Sequence, residues 1–391
     1  MIAAALLLAA QTVSTRCQTE DVKLTAAVTV KRLVGCGEGF PENTLWHLDR
    51  IDSRDGNLDE TFTRPEPKAP AVVYVLDSGV ETTHDEFQRA EGTNVVGGFV
   101  PPTATPVKGC DGLDPSLHPC LGNLGGGPVA IFTHGTGVAS LIAGKTVGVA
   151  PDAKIISVLT ALSGIEYWLP ALDKIIENAW DPSTPQFRTA IINISGGVPY
   201  TANSPFTGPQ RDALDRKIRD MVGGVDAEGR PDPTGKRFLF VAAAGNWAAP
   251  LKPGDAQGQC DPDGNVKQYP AALGTEVEGV ISVGGMTINN EFWSGSCKGP
   301  LLEVLAPAEN MLMASNTGHD YYRKQDASGT SWSTPIVSGI AALLLGNEPD
   351  LSPAELERRI ESLPSHIIDT LPEHAHGRVP TLFVPARRRG R

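Results

Sequence analysis

Three separated segments of this chain carry a carboxylate, an imidazole and a hydroxyl. Asp77 closes the apolar run Ala71-Val72-Val73-Tyr74-Val75-Leu76 and is followed by Ser78-Gly79. His134 lies in His134-Gly135-Thr136-Gly137-Val138-Ala139, and Ser331 in Gly329-Thr330-Ser331-Trp332-Ser333-Thr334-Pro335. A serine hydroxyl is a weak nucleophile at neutral pH and needs an adjacent base. An imidazole can take its proton, and a buried carboxylate that accepts the Nδ1–H leaves Nε2 free to act as that base. Asn246 closes Val241-Ala242-Ala243-Ala244-Gly245-Asn246. An amide there could donate to the oxyanion of a tetrahedral intermediate. The chemistry these types can do together is acyl transfer through a covalent intermediate.

Each residue also has an ordinary structural reading. Ser331 could simply cap a helix, with Gly329 turning the backbone before it and Pro335 near the first turn, where a missing N–H costs least. The same helix start offers free N–H groups and a positive dipole to developing negative charge. His134 also opens a helix, and Gly135 and Gly137 each weaken that helix by about 1 kcal/mol relative to Ala. Such a cost points to close approach of another backbone or a substrate. Asp77 could turn the chain through Asp77-Ser78-Gly79, although a carboxylate ending a buried strand must be hydrogen-bonded or paired. An Asn after Gly is ordinarily a turn residue. None decides alone; their joint occurrence, each at a strand end or helix start, points to a catalytic set.

The elements that must position them follow from periodicity. The run 71–76 is apolar on both faces, as a buried parallel strand is. Segments 155–159, 189–194, 238–243 and 277–283 read as further strands. Helices are expected over 134–144, with Thr133 as N-cap, over 167–180 and over 209–222, where Leu214, Ile218 and Met221 share one face. A long helix follows Thr330. Ser352-Pro353-Ala354-Glu355 is a capping-box start for another, running to about Ser362. Strands alternating with helices predict an α/β fold, a doubly wound, mostly parallel sheet with helices on both faces. In such sheets sites lie beyond the carboxyl ends of the strands. Asp77, Ser195-Gly196-Gly197 and Asn246 each follow a strand end. The Gly- and Pro-rich loop 223–236 precedes its strand and belongs on the opposite side.

The whole chain sets broader limits. Its 391 residues suit one large domain or two ordinary ones, and 40% hydrophobic residues can bury a sizeable core. The net charge of −12 argues against nucleic-acid or membrane-surface binding; the basic run at 387–391 reads as a solvated tail. The apolar stretch 1–10 is too short to span a bilayer and matches the apolar part of a secretory signal, so export is expected, with residues 1–16 as the signal and 17–43 as a short, poorly patterned lead-in. Six cysteines in an exported chain suggest disulfides. Spacing favours Cys110 with Cys120 and Cys260 with Cys297, and leaves the pairing of Cys17 with Cys36 open. Asn193-Ile194-Ser195 lies in an expected core strand, which argues against its glycosylation.

These segments resemble those of the subtilisin-like serine peptidases, the proteinase K-like branch in particular. YVLDSGVETTHDEF is similar to the aspartate segment, HGTGVASLIAG to the histidine segment, VAAAGN to the oxyanion segment and GTSWSTPIVSGIAALLL to the serine segment. The stretch 45–51 resembles the start of a mature enzyme, and the peptidase domain would cover 44–385, with a basic tail after it. The resemblance implies a secreted serine endopeptidase in which Ser331 attacks, His134 shuttles the proton, Asp77 orients the ring and Asn246 holds the oxyanion. It implies extended polypeptide substrates, bound as an added strand along Ser195, Gly196 and Gly197, with Ala243, Ala244 and Gly245 lining the primary pocket and a second edge somewhere in 163–168. The chain would act as a monomer, with no cofactor required for the chemistry. The resemblance also allows structural calcium, for which Asp111, Asp114, Asp255, Asp261 and Asp263 are loop carboxylates of the right chemistry.

Several positions depart from the pattern. Gly137 stands where a His is common. Trp332 stands where a smaller residue, usually Met, is common, and would crowd the leaving-group side. The Ser195-Gly196-Gly197 segment is one residue shorter than usual. The span before the mature start is short for a folding pro-domain. The competing functions are a peptide-binding protein on the same fold, inactivated by these departures, and an esterase. The Gly-x-Ser-x-Gly elbow that esterases use is not matched at Ser331.

Overall fold

The computed structural model describes residues 18–25, 28–35, 45–52, 57–99, 133–160, 165–184, 186–199, 208–225, 228–233, 235–246, 259–261, 263–315, 322–324, 328–367 and 378–380. Apart from a two-residue hairpin pairing Gln88–Arg89 with Gly92–Thr93, the strands in chain order are β1 (Gln18–Thr25), β2 (Val28–Gly35), β3 (Thr61–Pro65), β4 (Val72–Asp77), β5 (Val95–Phe99), β6 (Lys154–Leu159), β7 (Thr189–Ile194), β8 (Val198–Pro199), β9 (Arg237–Ala243), β10 (Gln268–Tyr269), β11 (Val280–Met286), β12 (Val304–Pro307), β13 (Leu312–Ala314), β14 (Tyr322–Lys324), β15 (Ser365–Ile367) and β16 (Arg378–Pro380). The helices are α1 (Trp46–Arg50), α2 (Thr133–Ala143), α3 (Ile165–Trp180), α4 (Gly208–Gly223), α5 (Thr330–Asn347) and α6 (Pro353–Glu361).

The central sheet runs β15-β16-β12-β11-β9-β7-β4-β6-β5. Every neighbouring pair from β12 to β5 is parallel, and β15 returns antiparallel on β16 at the edge. Alternation along the strands builds a core on each face of the sheet, because successive side chains leave a strand on opposite faces, and a smaller third cluster surrounds Cys260 and Cys297. Val73, Val75, Ile191, Leu239, Val241 and Ile281 meet Val138, Leu141 and Ile142 of α2 and Ile336, Val337 and Ile340 of α5. Val72, Tyr74, Leu76, Ile192 and Phe240 meet Leu172 and Ile175 of α3 and Leu214 and Ile218 of α4. Asp77 shares the parity of Val73 and Val75, so it faces the α2–α5 side. The doubly wound expectation holds.

Element bounds shift by a few residues, most at β11, which begins three residues after the expected 277. Cys260 and Cys297 are joined; the other four cysteines lie outside the described residues. Asn193 is fully buried and donates to Ser195 Oγ at 3.0 Å, in keeping with a core strand rather than a glycan acceptor. Ser352 caps α6 and forms the capping box with Glu355. Two expectations change. The stretch after residue 17 carries β1 and β2, which pair with each other and then with β3; the alternation in Val28-Thr29-Val30-Lys31 is the signal for it. Thr133 is the first residue of α2 rather than its cap.

Candidate active site

The sheet order brings three strand ends together, since β7 lies between β4 and β9. Asp77 is the last residue of β4 and is fully buried. Its Oδ1 accepts Ser78 N–H at 2.6 Å, and its two carboxylate oxygens lie 2.8 and 2.9 Å from His134 Nδ1. A buried carboxylate can only accept, so Nδ1 carries the hydrogen and Nε2 is left as the basic nitrogen. The glycine after the histidine has a steric cause. A Cβ on Gly135 would sit 2.2 Å from Gly79 O, and Gly135 N–H donates to Ser78 Oγ at 3.0 Å. Strand end and helix start therefore meet backbone to backbone.

Ser331 is the second residue of α5. The N-cap is Gly329, whose extended backbone carries no capping side chain, so the capping role considered for Ser331 does not apply. Pro335 is the sixth helical residue, deeper than the first turn expected for it, and removes the donor that Ser331 C=O would otherwise meet. The Ser331 hydroxyl donates to Ser195 O at 2.9 Å. Trp332 is buried, and its ring lies 4.9 Å from the His134 ring, centroid to centroid.

Asn246 follows β9. Its Oδ1 accepts the Thr330 N–H at 2.9 Å and the Thr330 hydroxyl at 3.1 Å. A backbone N–H can only donate, which fixes the oxygen toward Thr330 and the amide hydrogens away from it. The amide nitrogen lies 3.7 Å from the place a Cβ on Gly329 would take, one residue before Thr330 and two before Ser331. The Asn246 backbone is held by Gln259 Oε1, and Cys297 N–H donates to Gly245 O at 2.9 Å, so the disulfide beside it braces the loop.

The expected substrate edge follows β7. Ser195 is buried and Gly196 and Gly197 are half-buried. A Cβ on Gly196 would meet nothing within 4 Å, whereas one on Gly197 would lie 2.5 Å from Gln268 Cδ. Ala243 and Ala244 are buried, Gly245 has φ +108°, and Gln268 Nε2 donates to Ala243 O at 2.5 Å. Gln268 thus spans from the Gly197 segment to the Ala243–Gly245 segment. Nothing in its sequence context marks it, because the contact exists only once β8 pairs with β10. Thr330 and Ser78, by contrast, sit inside the motifs already singled out. Of the 163–168 edge, residues 163 and 164 lie outside the described residues.

Of the five loop carboxylates considered for calcium, Asp111, Asp114 and Asp255 lie outside the described residues. Asp261 accepts from Asp263 N–H, Asn265 N–H and the Asn265 side chain, which closes the turn between them. Among the described residues, one acidic group has metal-like spacing, Glu303, Glu357 and Glu361. Burial, with the Glu357 and Glu361 charges adding to it, pushes the Glu303 carboxyl up to about 9, and burial with the Glu361 and Glu278 charges pushes Glu357 up to about 7. Ser282 N–H donates to Glu303, and Gly279 N–H to Glu357. The pair therefore holds a proton near neutral pH.

The profile of the Subtilase family matches residues 69–375. The chain belongs to the subtilase family. Over 84% of its length it is 28% identical to the "Alkaline extracellular protease" of Yarrowia lipolytica, of which it spans 60%. It is equally similar to the "Cuticle-degrading serine protease" of Arthrobotrys oligospora, covering 82% of this chain and 63% of that one. The "Alkaline serine exoprotease A" of Vibrio alginolyticus is 28% identical over 82% of this chain and 47% of that protein. The chain thus spans about half to two thirds of the length of these relatives. The fold matches a cold-adapted subtilisin-like serine proteinase of known structure, with TM-score 0.58 and 24% identity over 87% of this chain and 98% of that one. These fungal and bacterial subtilases fit the narrower likeness to the proteinase K-like branch.

Proposed function

We propose that the protein is an exported serine endopeptidase that cleaves extended polypeptides through an acyl-enzyme intermediate, with residues 44–385 as its peptidase domain. The observation that carries this reading is the Asp77–His134 pair, built from a strand end and a helix start, beside the carboxyl ends of the central strands where Ser331 meets Ser195 and Asn246 meets Thr330. In the reaction the Ser331 hydroxyl exchanges its bond to Ser195 O for one to His134 Nε2. It gives up its proton there and attacks the scissile carbonyl. Asp77 stabilises the imidazolium, which then protonates the leaving amine. The Asn246 amide and the Ser331 N–H, at the positive end of α5, hold the oxyanion. The substrate lies as an added strand on Ser195, Gly196 and Gly197, with Gly196 facing open space. Ala243, Ala244 and Gly245 line the pocket for the residue before the cleaved bond. The chemistry uses side chains and backbone alone, and the protein acts as a monomer on polypeptides, with neither nucleic acid nor membrane as partner.

The test is casein hydrolysis by the exported protein and by its Ser331→Ala variant. The reading expects hydrolysis by the first and a loss of several orders of magnitude in the second. Equal hydrolysis by both would remove Ser331 from the chemistry. A folded wild type that hydrolyses nothing would favour a peptide-binding role.

A further inference from the structure

The two side-chain departures from the family pattern, Gly137 and Trp332, meet in space. Gly137 lies three residues after His134 on α2, so the two share one helix face. The Trp332 indole covers that face. Its ring is 4.9 Å from the imidazole at a tilt of 43°, and its Cζ3 is 3.3 Å from where a Cβ on Gly137 would be. Met313 of β13 closes the same hollow, with its Sδ only 2.8 Å from that point. Both Trp332 and Met313 are buried. Gly137 does not have positive φ, so backbone conformation does not call for glycine there. What calls for it is the volume taken by the indole and the thioether.

We propose that Trp332, seated in the hollow of Gly137 and backed by Met313, is a positioning residue that holds the His134 ring in its working orientation. The inference rests on the proposed peptidase reading. Asp77 grips the imidazole by its edge, at Nδ1, which fixes one end of the ring but leaves rotation about that hydrogen bond. A flat, buried indole against the ring removes this freedom. It also presents a π-surface to the imidazolium formed when Ser331 loses its proton, an interaction that favours the charged ring. The side chain of His134 is 25% exposed, so the contact works where water would otherwise loosen it.

The test measures kcat and KM separately on one chromogenic peptide, with melting curves and the rate of fluorophosphonate labelling for each variant. Trp332→Met is expected to lose about tenfold in kcat, with KM within twofold and a cooperative melt. Trp332→Phe, which keeps a ring, should recover at least a third of wild-type kcat. Gly137→Ala puts a methyl group into the contact and should also lower kcat. In the Trp332→Met background the same change should cost clearly less in kcat than it does in wild type, because only the Met313 contact is then left to yield and it no longer transmits through the indole to the imidazole. Wild-type kcat in Trp332→Met, a loss confined to KM, or fully additive effects would overturn the proposal. If Trp332→Met does not fold, Trp332→Phe and Gly137→Ala decide: an unchanged kcat in Gly137→Ala contradicts the positioning role. A wild type that neither hydrolyses the peptide nor takes the label overturns the peptidase reading, and this inference falls with it.

Discussion

At the scale of single residues, the site is explained by what each atom is able to accept or donate. Asp77 can only accept, and it meets the imidazole through both oxygens. Replacing it by Asn keeps the shape but can place an N–H against Nδ1 and force the hydrogen onto Nε2, where the base is needed. Asp77→Asn should therefore lower kcat by about 10⁴-fold while leaving the melting curve close to wild type, an effect of the wrong tautomer. Steady-state kinetics beside circular dichroism check this. At Asn246 the Thr330 N–H fixes the amide so that its hydrogens face away. Asn246→Ala should cost about 2.7–4 kcal/mol of transition-state stabilisation. That value is the one known for the equivalent amide of subtilisin itself and is carried over by family membership, not obtained from this chain. A kcat within threefold of wild type would rule out the oxyanion role.

At the scale of elements, the parallel strands and the amphipathic helices were legible in the sequence because their periods differ and each buries a continuous face. Asp77, His134 and Ser331 were legible because each is the last residue or the second residue of such an element, and Asn246 because it follows the end of β9 by three residues. What was not legible depends on contacts between distant segments. Gln268 reaches the Gly197 and Ala243 segments only through the β8–β10 pairing. The β1–β2 hairpin gains its third strand only when β3 docks. The fit of Trp332 against Gly137 joins α5 to α2 across nearly two hundred residues, and neither segment alone predicts it. The Cys260–Cys297 bond has a sequence separation of 37, and the chain-entropy model assigns it about 4 kcal/mol. Because Cys297 N–H holds Gly245 O, one residue before Asn246, its loss should affect more than stability. Cys260→Ser with Cys297→Ser should lower the unfolding free energy by that order, read from denaturant titration, and also lower kcat. A stability loss with unchanged kcat would show that the brace does not reach the oxyanion loop.

At the scale of the molecule, buried titratable groups set how stability responds to pH. The Glu303 carboxyl, ordinarily near 4.5, is raised to about 9, chiefly by burial, so the folded protein holds its proton more tightly than the unfolded chain. The stability tied to that proton is complete below about pH 4.5 and is lost as pH rises toward 9. Glu357, raised to about 7, and Asp52, raised to about 7 in the turn after α1, act in the same direction. His47 acts oppositely. Burial lowers it from 6.5 to about 4, so its contribution is present above pH 6.5 and is lost as pH falls toward 4. Glu303→Gln keeps an acceptor for the Ser282 N–H and removes the charge. It should raise unfolding free energy at pH 9 by about 1–3 kcal/mol and change it little at pH 5. Urea titrations at the two pH values check this, and an equal effect at both would contradict the buried-proton account.

The proposed function requires that Ser331 alone, among the serines of the chain, be made nucleophilic by His134. Its most direct test is intact and peptide mass spectrometry after treatment with a fluorophosphonate, on wild type and on His134→Ala. One adduct on the peptide carrying Ser331, formed at least a thousandfold faster in wild type, is the predicted result. An adduct on another residue, or equal labelling of the two proteins at Ser331, would contradict it.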